Sequence, residues 1–265
     1  MASHSKLEPC ELAHELAELL QRMFTEPPPE LFEVFQQRPI PSELRGKVEL
    51  AIAQIKPAVH HPQEVVDMAL RSIQRTWDKF HDGSVTPNEF LRTPFDVPYE
   101  IVSINGRGRG IIASRDITAG EVIMQESPVL MFPLTDIRFF LLLTLPQKAL
   151  EAIFFLHNQR FDQRKFSIDT VPSLFCVVEI LAGILDTNTF GQISSTGFIG
   201  LLLLAGSMFN HSDRSNVGRA WDDGTERMVF TSRVDIKEGD ELVLDYAEGA
   251  SDSVRAEHLK AYGIL

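Results

Sequence analysis

Hydrophobic positions along the chain keep helical spacing at first and then change to strand spacing. In residues 7–24, Leu12, Leu16, Leu19, Leu20 and Met23 share one helical face, and Pro27-Pro28-Pro29 ends the run. A second helical pattern covers Glu30 to Gln36. Ser42 is placed to N-cap a third, through Leu44, Val48, Ala51, Ile52 and Ile55, which stops at Pro57. Pro62 opens a fourth, with Val66, Leu70, Ile73, Trp77 and Phe80 on its apolar face. From Pro94 and Pro98 the periods shorten. Tyr99–Ile104, Gly110–Ser114, Glu121–Gln125 and Val129–Phe132 read as strands, with turns at Asn105–Gly106 and Thr118-Ala119-Gly120.

Residues 134–187 return to helical spacing. Pro146 begins a helix carrying Leu150, Ile153, Phe154 and, on its face, His157. Pro172 begins another with Phe175, Val178, Ile180, Leu181 and Leu185. Val217–Trp221 and Arg227–Ser232 pair as a hairpin around Asp222-Asp223-Gly224. Glu241–Tyr246 alternates as a strand after the turn Lys237-Glu238-Gly239-Asp240, and Ser251 caps a closing helix through Val254, Ala256 and Leu259. The expected class is α+β: a helical region over residues 1–92, then a β-rich domain over 93–265 with a helical insert at about 134–187.

One run stands apart from this alternation. Phe198 to Phe209 is mostly apolar and reads as a buried helix delivering the polar cluster Asn210-His211-Ser212 to the edge of a core. Taken alone, that cluster is a cap and turn, and Tyr246 is an ordinary strand-end residue.

Composition narrows the classes. At 265 residues the chain can bury a full core, and a net charge of −12 argues against a nucleic-acid face or binding to anionic membranes. The two cysteines, Cys10 and Cys176, lie far apart, and no Cys/His spacing matches a zinc site, so no metal is expected. Met1-Ala2-Ser3-His4-Ser5-Lys6 lacks a signal-peptide core, and the apolar runs are too short to span a bilayer. The expectation is a soluble intracellular protein, cytoplasmic or nuclear. Asp78 to Glu89 resembles a calcium loop through Asp78, Asp82, Gly83, Val85 and Glu89. Phe80 occupies a ligand position and Pro94 cuts off the second helix, so the stretch reads as a helix-ending turn or a decayed hand.

Three pieces read together change the picture: Gly106-Arg107-Gly108-Arg109-Gly110, Asn210-His211-Ser212, and Glu241-Leu242-Val243-Leu244-Asp245-Tyr246. The glycine run is no dinucleotide fingerprint, because its third glycine comes one residue early and strand-like Ile111-Ile112 follows. In order and spacing the three resemble the signature motifs of the SET-domain family of AdoMet-dependent protein lysine methyltransferases, over about residues 98 to 264. The opening through Ile111-Ile112-Ala113-Ser114-Arg115-Asp116 is similar to the SMYD-like and fungal branch. Asp186-Thr187-Asn188-Thr189-Phe190 resembles a Thr-Asn-x-Phe of that branch.

The resemblance implies a pseudoknot that brings Asn210 and His211 beside Tyr246. It further implies S-adenosyl-L-methionine as cofactor, Tyr246 as catalytic phenol and Tyr262 as the second tyrosine of the substrate channel. Arg107, Gly108, Arg109, Asn188, Asn210 and His211 fall on its cofactor-binding positions. The departures are as specific as the matches. Asp213 stands for a family cysteine, Ser215 for a proline and Ile264 for an aromatic, and the zinc-binding cysteine tail and the MYND finger are missing. Three readings stay open: methylation of a protein lysine, a small-molecule reaction on the same scaffold, or a non-catalytic interaction module. The sequence is silent on oligomeric state.

Overall fold

A computed structural model of the protein describes residues 63–80, 84–133, 141–142, 144–159, 174–194 and 197–264. The three helices expected before Pro57 lie outside these residues, as do His81, Asp82 and Gly83 of the calcium-loop-like stretch. In chain order the elements are α1 (Gln63–Phe80), β1 (Tyr99–Ile104), β2 (Gly108–Ala113), β3 (Val122–Glu126), β4 (Leu130–Pro133), α2 (Gln147–Phe154), α3 (Leu174–Asn188), β5 (Thr189–Ser194), β6 (Gly197–Leu202), β7 (Asn210–His211), β8 (Val217–Asp222), β9 (Arg227–Ser232), β10 (Glu241–Leu244) and α4 (Asp252–Ala261). Mixed helices and short strands in small sheets make the fold α+β, as expected. No described helix is long and apolar enough to cross a membrane.

The chain divides into two compact units, Met1–Asn88 with Val129–Leu202, and Glu89–Pro128 with Leu203–Leu265. In the first unit a three-stranded sheet runs in the order β4-β6-β5, antiparallel throughout. Helix α1 covers its β4 edge. Of its expected apolar face Ile73 and Phe80 are buried and Leu70 and Trp77 half-buried; Ala69 is buried too, and two buried hydroxyls join them. Ser72 Oγ accepts the Met131 amide at 2.9 Å, and Thr76 Oγ1 donates to the Val129 carbonyl at 2.7 Å. An edge strand exposes unpaired backbone groups, and these two side chains satisfy some of them.

Two expectations change here. The apolar run from Phe198 is not a helix: its first half is the central strand β6, and a 3-10 turn at Gly206–Met208 follows. Ile199, Leu201 and Leu202 are buried at 1% or less exposure, and a strand covered on both faces shows the same unbroken apolar run as a buried helix. The helix after Pro146 ends at Phe154, so His157 lies beyond it, exposed, with Nε2 3.3 Å from Gln159 Oε1.

The second unit holds two sheets, ordered β1-β2-β10-β7 and β3-β9-β8. β1 and β2 form a hairpin with Ile104 opposite Gly108. Gly106 and Gly108 sit at φ +75° and +77°, a region costly for a side chain bearing Cβ. β2 begins at Gly108, two residues earlier than the sequence pattern placed it, so Gly108 and Arg109 are strand residues. β10 runs antiparallel to β2 and parallel to β7, with Val243 opposite Asn210 and Leu244 opposite His211. A parallel pair needs a long crossover. The β8–β9 hairpin and its flanking turns supply it.

Glu126 fixes the approach to β7. Its carboxylate accepts backbone amides from Leu204 at 2.8 Å, Ala205 at 3.1 Å and Gly206 at 2.7 Å. Charge-assisted bonds of this kind are about twice as strong as neutral ones. Glu126→Ala orphans three amides and is expected to destabilise the protein by roughly 2–4 kcal/mol, with Glu126→Gln intermediate. Denaturant unfolding checks this; equal midpoints for all three proteins would contradict it.

Candidate active site

The site grows from the β7–β10 pair. β7 ends in His211, and past the end of β10 the chain turns through Asp245 and Tyr246. The Tyr246 amide donates to His211 Nδ1 at 3.2 Å. An imidazole accepting at Nδ1 carries its neutral-form proton on Nε2, and that atom lies 3.3 Å from Asp213 Oδ1. The His211 side chain is 7% exposed, so the ring is held rather than free. Just before β7, the Phe209 carbonyl accepts the Tyr246 hydroxyl at 2.5 Å. Both ends of Tyr246, amide and phenol, are thus tied to the chain around β7.

Aromatic rings line up from there. His211 and Tyr246 centroids are 5.3 Å apart, Tyr246 and Tyr262 5.0 Å, and His258 stacks on Tyr262 at 5.4 Å and 15°. Burial, with Tyr262 and Glu241 nearby, pushes the Tyr246 phenol well above its ordinary range, outweighing the opposing pull of Arg107 and Arg219. Both the burial and the bond to the Phe209 carbonyl favour the protonated phenol, a donor to Phe209.

The glycine run joins the site through Asn210. Gly110 has no room for a side chain: a Cβ would lie 2.6 Å from Ile104 Cγ1 and 2.7 Å from Asn210 Nδ2. That close approach lets Asn210 Nδ2 donate to the Arg109 carbonyl at 3.2 Å and to Glu241 Oε1 at 2.8 Å. Glu241 Oε2 in turn accepts from the half-exposed Arg107 at 3.2 Å. Around Gly106 and Gly108 no heavy atom comes within 4 Å of an added Cβ, so the turn is open. Burial lowers the Arg109 pKa from its usual value.

Of the residues singled out in the sequence, Arg107, Gly108, Arg109, Asn210, His211, Tyr246 and Tyr262 all belong to the second unit. Asn188 belongs to the first unit. It is 5% exposed, and its Nδ2 donates to the His157 and Ile184 carbonyls, each at 2.7 Å. It ties the end of α3 to the loop after α2.

Other residues matter that the sequence pattern leaves in the background. Asn216 acts as a surrogate strand: its Nδ2 donates to the Glu241 carbonyl and its Oδ1 accepts the Val243 amide, both at 2.9 Å. Arg255 on α4 places Nη1 2.9 Å and 2.8 Å from the two Asp245 oxygens and donates Nη2 to Asp213. Asp213 occupies the position where the resemblance places a cysteine, and its carboxylate is thus an ion-pair partner instead. Arg219 on β8 is buried enough to lower its pKa, and its field reaches Tyr262, Glu248, Asp245 and Tyr246. Ile264 is 41% exposed. Among the described residues no group of three or more His, Cys, Asp or Glu side chains is arranged to hold a metal ion.

These strands and motifs define a class. The SET-domain family model matches residues 108–247, just over half of the chain, and the protein belongs to that family. Comparison with curated protein sequences gave no match. Among solved structures the chain is similar to the SET domain of LSMT bound to lysine and AdoHcy, at 12% identity and a TM-score of 0.44, covering 72% of this chain and 56% of that one. It is likewise similar to Rubisco LSMT bound to sinefungin and monomethyllysine, at 15% identity and a TM-score of 0.46, with the same coverage. The chain spans a little over half the length of these relatives.

The carboxylate of Asp245 gives a pH signature. Burial works to raise its pKa, but the Arg255 bond and the Ala247 amide outweigh it, and the net value lies below the usual carboxylate range. A depressed folded-state pKa contributes stability that is present above the unfolded value, roughly 3.9, and is lost as pH falls through the folded one. Asp245→Asn is therefore expected to lower stability near neutral pH and to flatten its fall in acid. Thermal unfolding between about pH 2 and pH 7 checks this. An acid limb as steep as in the unaltered protein would contradict it.

Proposed function

We propose that the protein is an AdoMet-dependent N-methyltransferase of the SMYD-like and fungal SET branch, acting on a lysine side chain of a protein. The observation that carries this reading is the fixed, neutral Tyr246 phenol, bonded to Phe209 and flanked by Tyr262, next to an open glycine turn. Membership of the SET family supports it, and so does the donor set around the turn. AdoMet carries an α-carboxylate, an α-ammonium and a sulfonium. Arg107 matches the first, Glu241 the second, and the Gly106–Gly108 backbone leaves room for the chain between them. Arg107, Gly108, Arg109, Asn210 and His211 are accordingly proposed to hold the cofactor.

When bound, AdoMet supplies an electrophilic methyl group on a leaving thioether. The protein's part is to place an amine in line with it and to keep that amine neutral. A free lysine has a pKa of roughly 10.4, and desolvation in an aromatic-lined site lowers it. The Tyr246 hydroxyl donates its proton to the Phe209 carbonyl, which leaves its oxygen lone pairs as acceptors for polarised hydrogens. Tyr262, 5.0 Å away, forms the facing wall. Positioning and electrostatic complementarity of this kind account for much of what enzymes contribute to a displacement.

Tyr246→Phe is expected to keep AdoMet affinity and to lower methyl transfer by about 10²-fold or more. Incorporation of labelled methyl into a protein extract, measured beside a low-mass amine fraction, tests both the role and the substrate class. Label only in the low-mass fraction would overturn the protein substrate. Bound AdoMet with no transfer to either would favour an interaction module, and unchanged turnover in the variant would remove Tyr246 from the chemistry.

A further inference from the structure

Helix α4 is weakly anchored by apolar contact. Leu259, at 4% exposure, is its buried hydrophobic side chain among those described, and Val254 is 53% exposed. One buried leucine can dock a helix without fixing its rotation. Its N-cap Ser251 makes no side-chain capping bond. Yet α4 delivers Tyr262, its C-cap residue, to within 5.0 Å of Tyr246. Something polar has to set that distance.

Arg255 is the group in place to do so. Nη1 donates to both oxygens of Asp245, at 2.9 and 2.8 Å, and to the Ala247 carbonyl at 3.4 Å. Nη2 donates to Asp213, whose Oδ1 also faces His211 Nε2 at 3.3 Å. Asp245 directly precedes Tyr246, and its Oδ1 further accepts the Ala247 amide at 3.0 Å. One guanidinium therefore grips the residues flanking Tyr246 and, through Asp213, the histidine that receives the Tyr246 amide. The Arg255 and Asp245 side chains are 23% and 16% exposed, so solvent screens this pair only in part. Arginine suits the task because its planar fork holds two carboxylates in fixed directions, which a lysine cannot do.

We propose that Arg255, with Asp213 and Asp245, is a positioning residue that sets the spacing of the Tyr246–Tyr262 pair. This rests on the methyl-transfer reading for its kinetic consequence, though not for its geometric one. Arg255→Gln removes the grip without touching Arg107, Gly108 or Asn210. It is expected to lower kcat by between about tenfold and 10²-fold, as misplacement by about 1 Å can, with a smaller effect on AdoMet affinity. Arg255→Lys is expected to recover part of the loss.

The chain has three tyrosines, so ring-labelled tyrosine NMR resolves each one. Arg255→Gln should weaken the cross-peak between the Tyr246 and Tyr262 rings while the Tyr99 signals stay in place. A cross-peak of unchanged intensity, or a kcat equal to that of the unaltered enzyme well below its melting temperature, would overturn the proposal. If Arg255→Gln fails to fold, Asp213→Asn replaces an exposed carboxylate and should weaken the same cross-peak; an unchanged signal there would also overturn it. If the unaltered protein transfers no methyl group, the functional reading fails and the ring contact still decides the positioning role.

Discussion

The Tyr246 amide can reach His211 Nδ1 at 3.2 Å only because β7 and β10 lie side by side and point the same way. These strands are remote in sequence, and their pairing is two residues long, Val243 with Asn210 and Leu244 with His211. So short a ladder has little strength of its own. It is held by side chains standing in for backbone: Asn216 bonds β10 from one side, and Asn210 bonds the Arg109 carbonyl and Glu241 from the other. Upstream, Glu126 gathers the amides of Leu204, Ala205 and Gly206 and so sets where β7 begins. The positions of His211 and Tyr246 depend on this junction.

Much of this is legible in the chain itself. The hairpin of β1 and β2, the β8–β9 pair and the closing helix follow from turn residues and alternation, because glycine at positive φ and apolar alternation are local signals. Asn210, His211 and Tyr246 are legible only as a constellation, through resemblance, because their juxtaposition is non-local. The Phe198 run reads as a helix yet folds as a strand, because a strand covered on both faces has no period to distinguish it. Arg255 and Glu126 carry no readable signal. Each is a charged residue in a polar context, and its partners are set by tertiary contacts distant in sequence.

Charge organises the site as much as aromaticity does. Asp213, where the family resemblance leads one to expect a cysteine, is an ion-pair partner of Arg255 and a neighbour of His211. Asp245 and Glu241 play matching roles towards Arg255 and Arg107. Asp245, paired with Arg255, directly precedes Tyr246, and the fields of Arg107 and of the buried Arg219 both reach the phenol. The overall charge of −12 gives no hint of this local arrangement. Net charge governs solubility and encounter, whereas the site is set by pairs within a few ångströms of one another.

The junction of the glycine turn with β7 and β10 is the proposed cofactor site. Calorimetric titration of the purified protein with AdoMet, beside Asn210→Ala, tests it most directly. Saturable micromolar binding is expected for the unaltered protein and its loss in the variant, in which Glu241 and the Arg109 carbonyl lose their shared donor. No binding by the unaltered protein, or equal affinity in both, would contradict it.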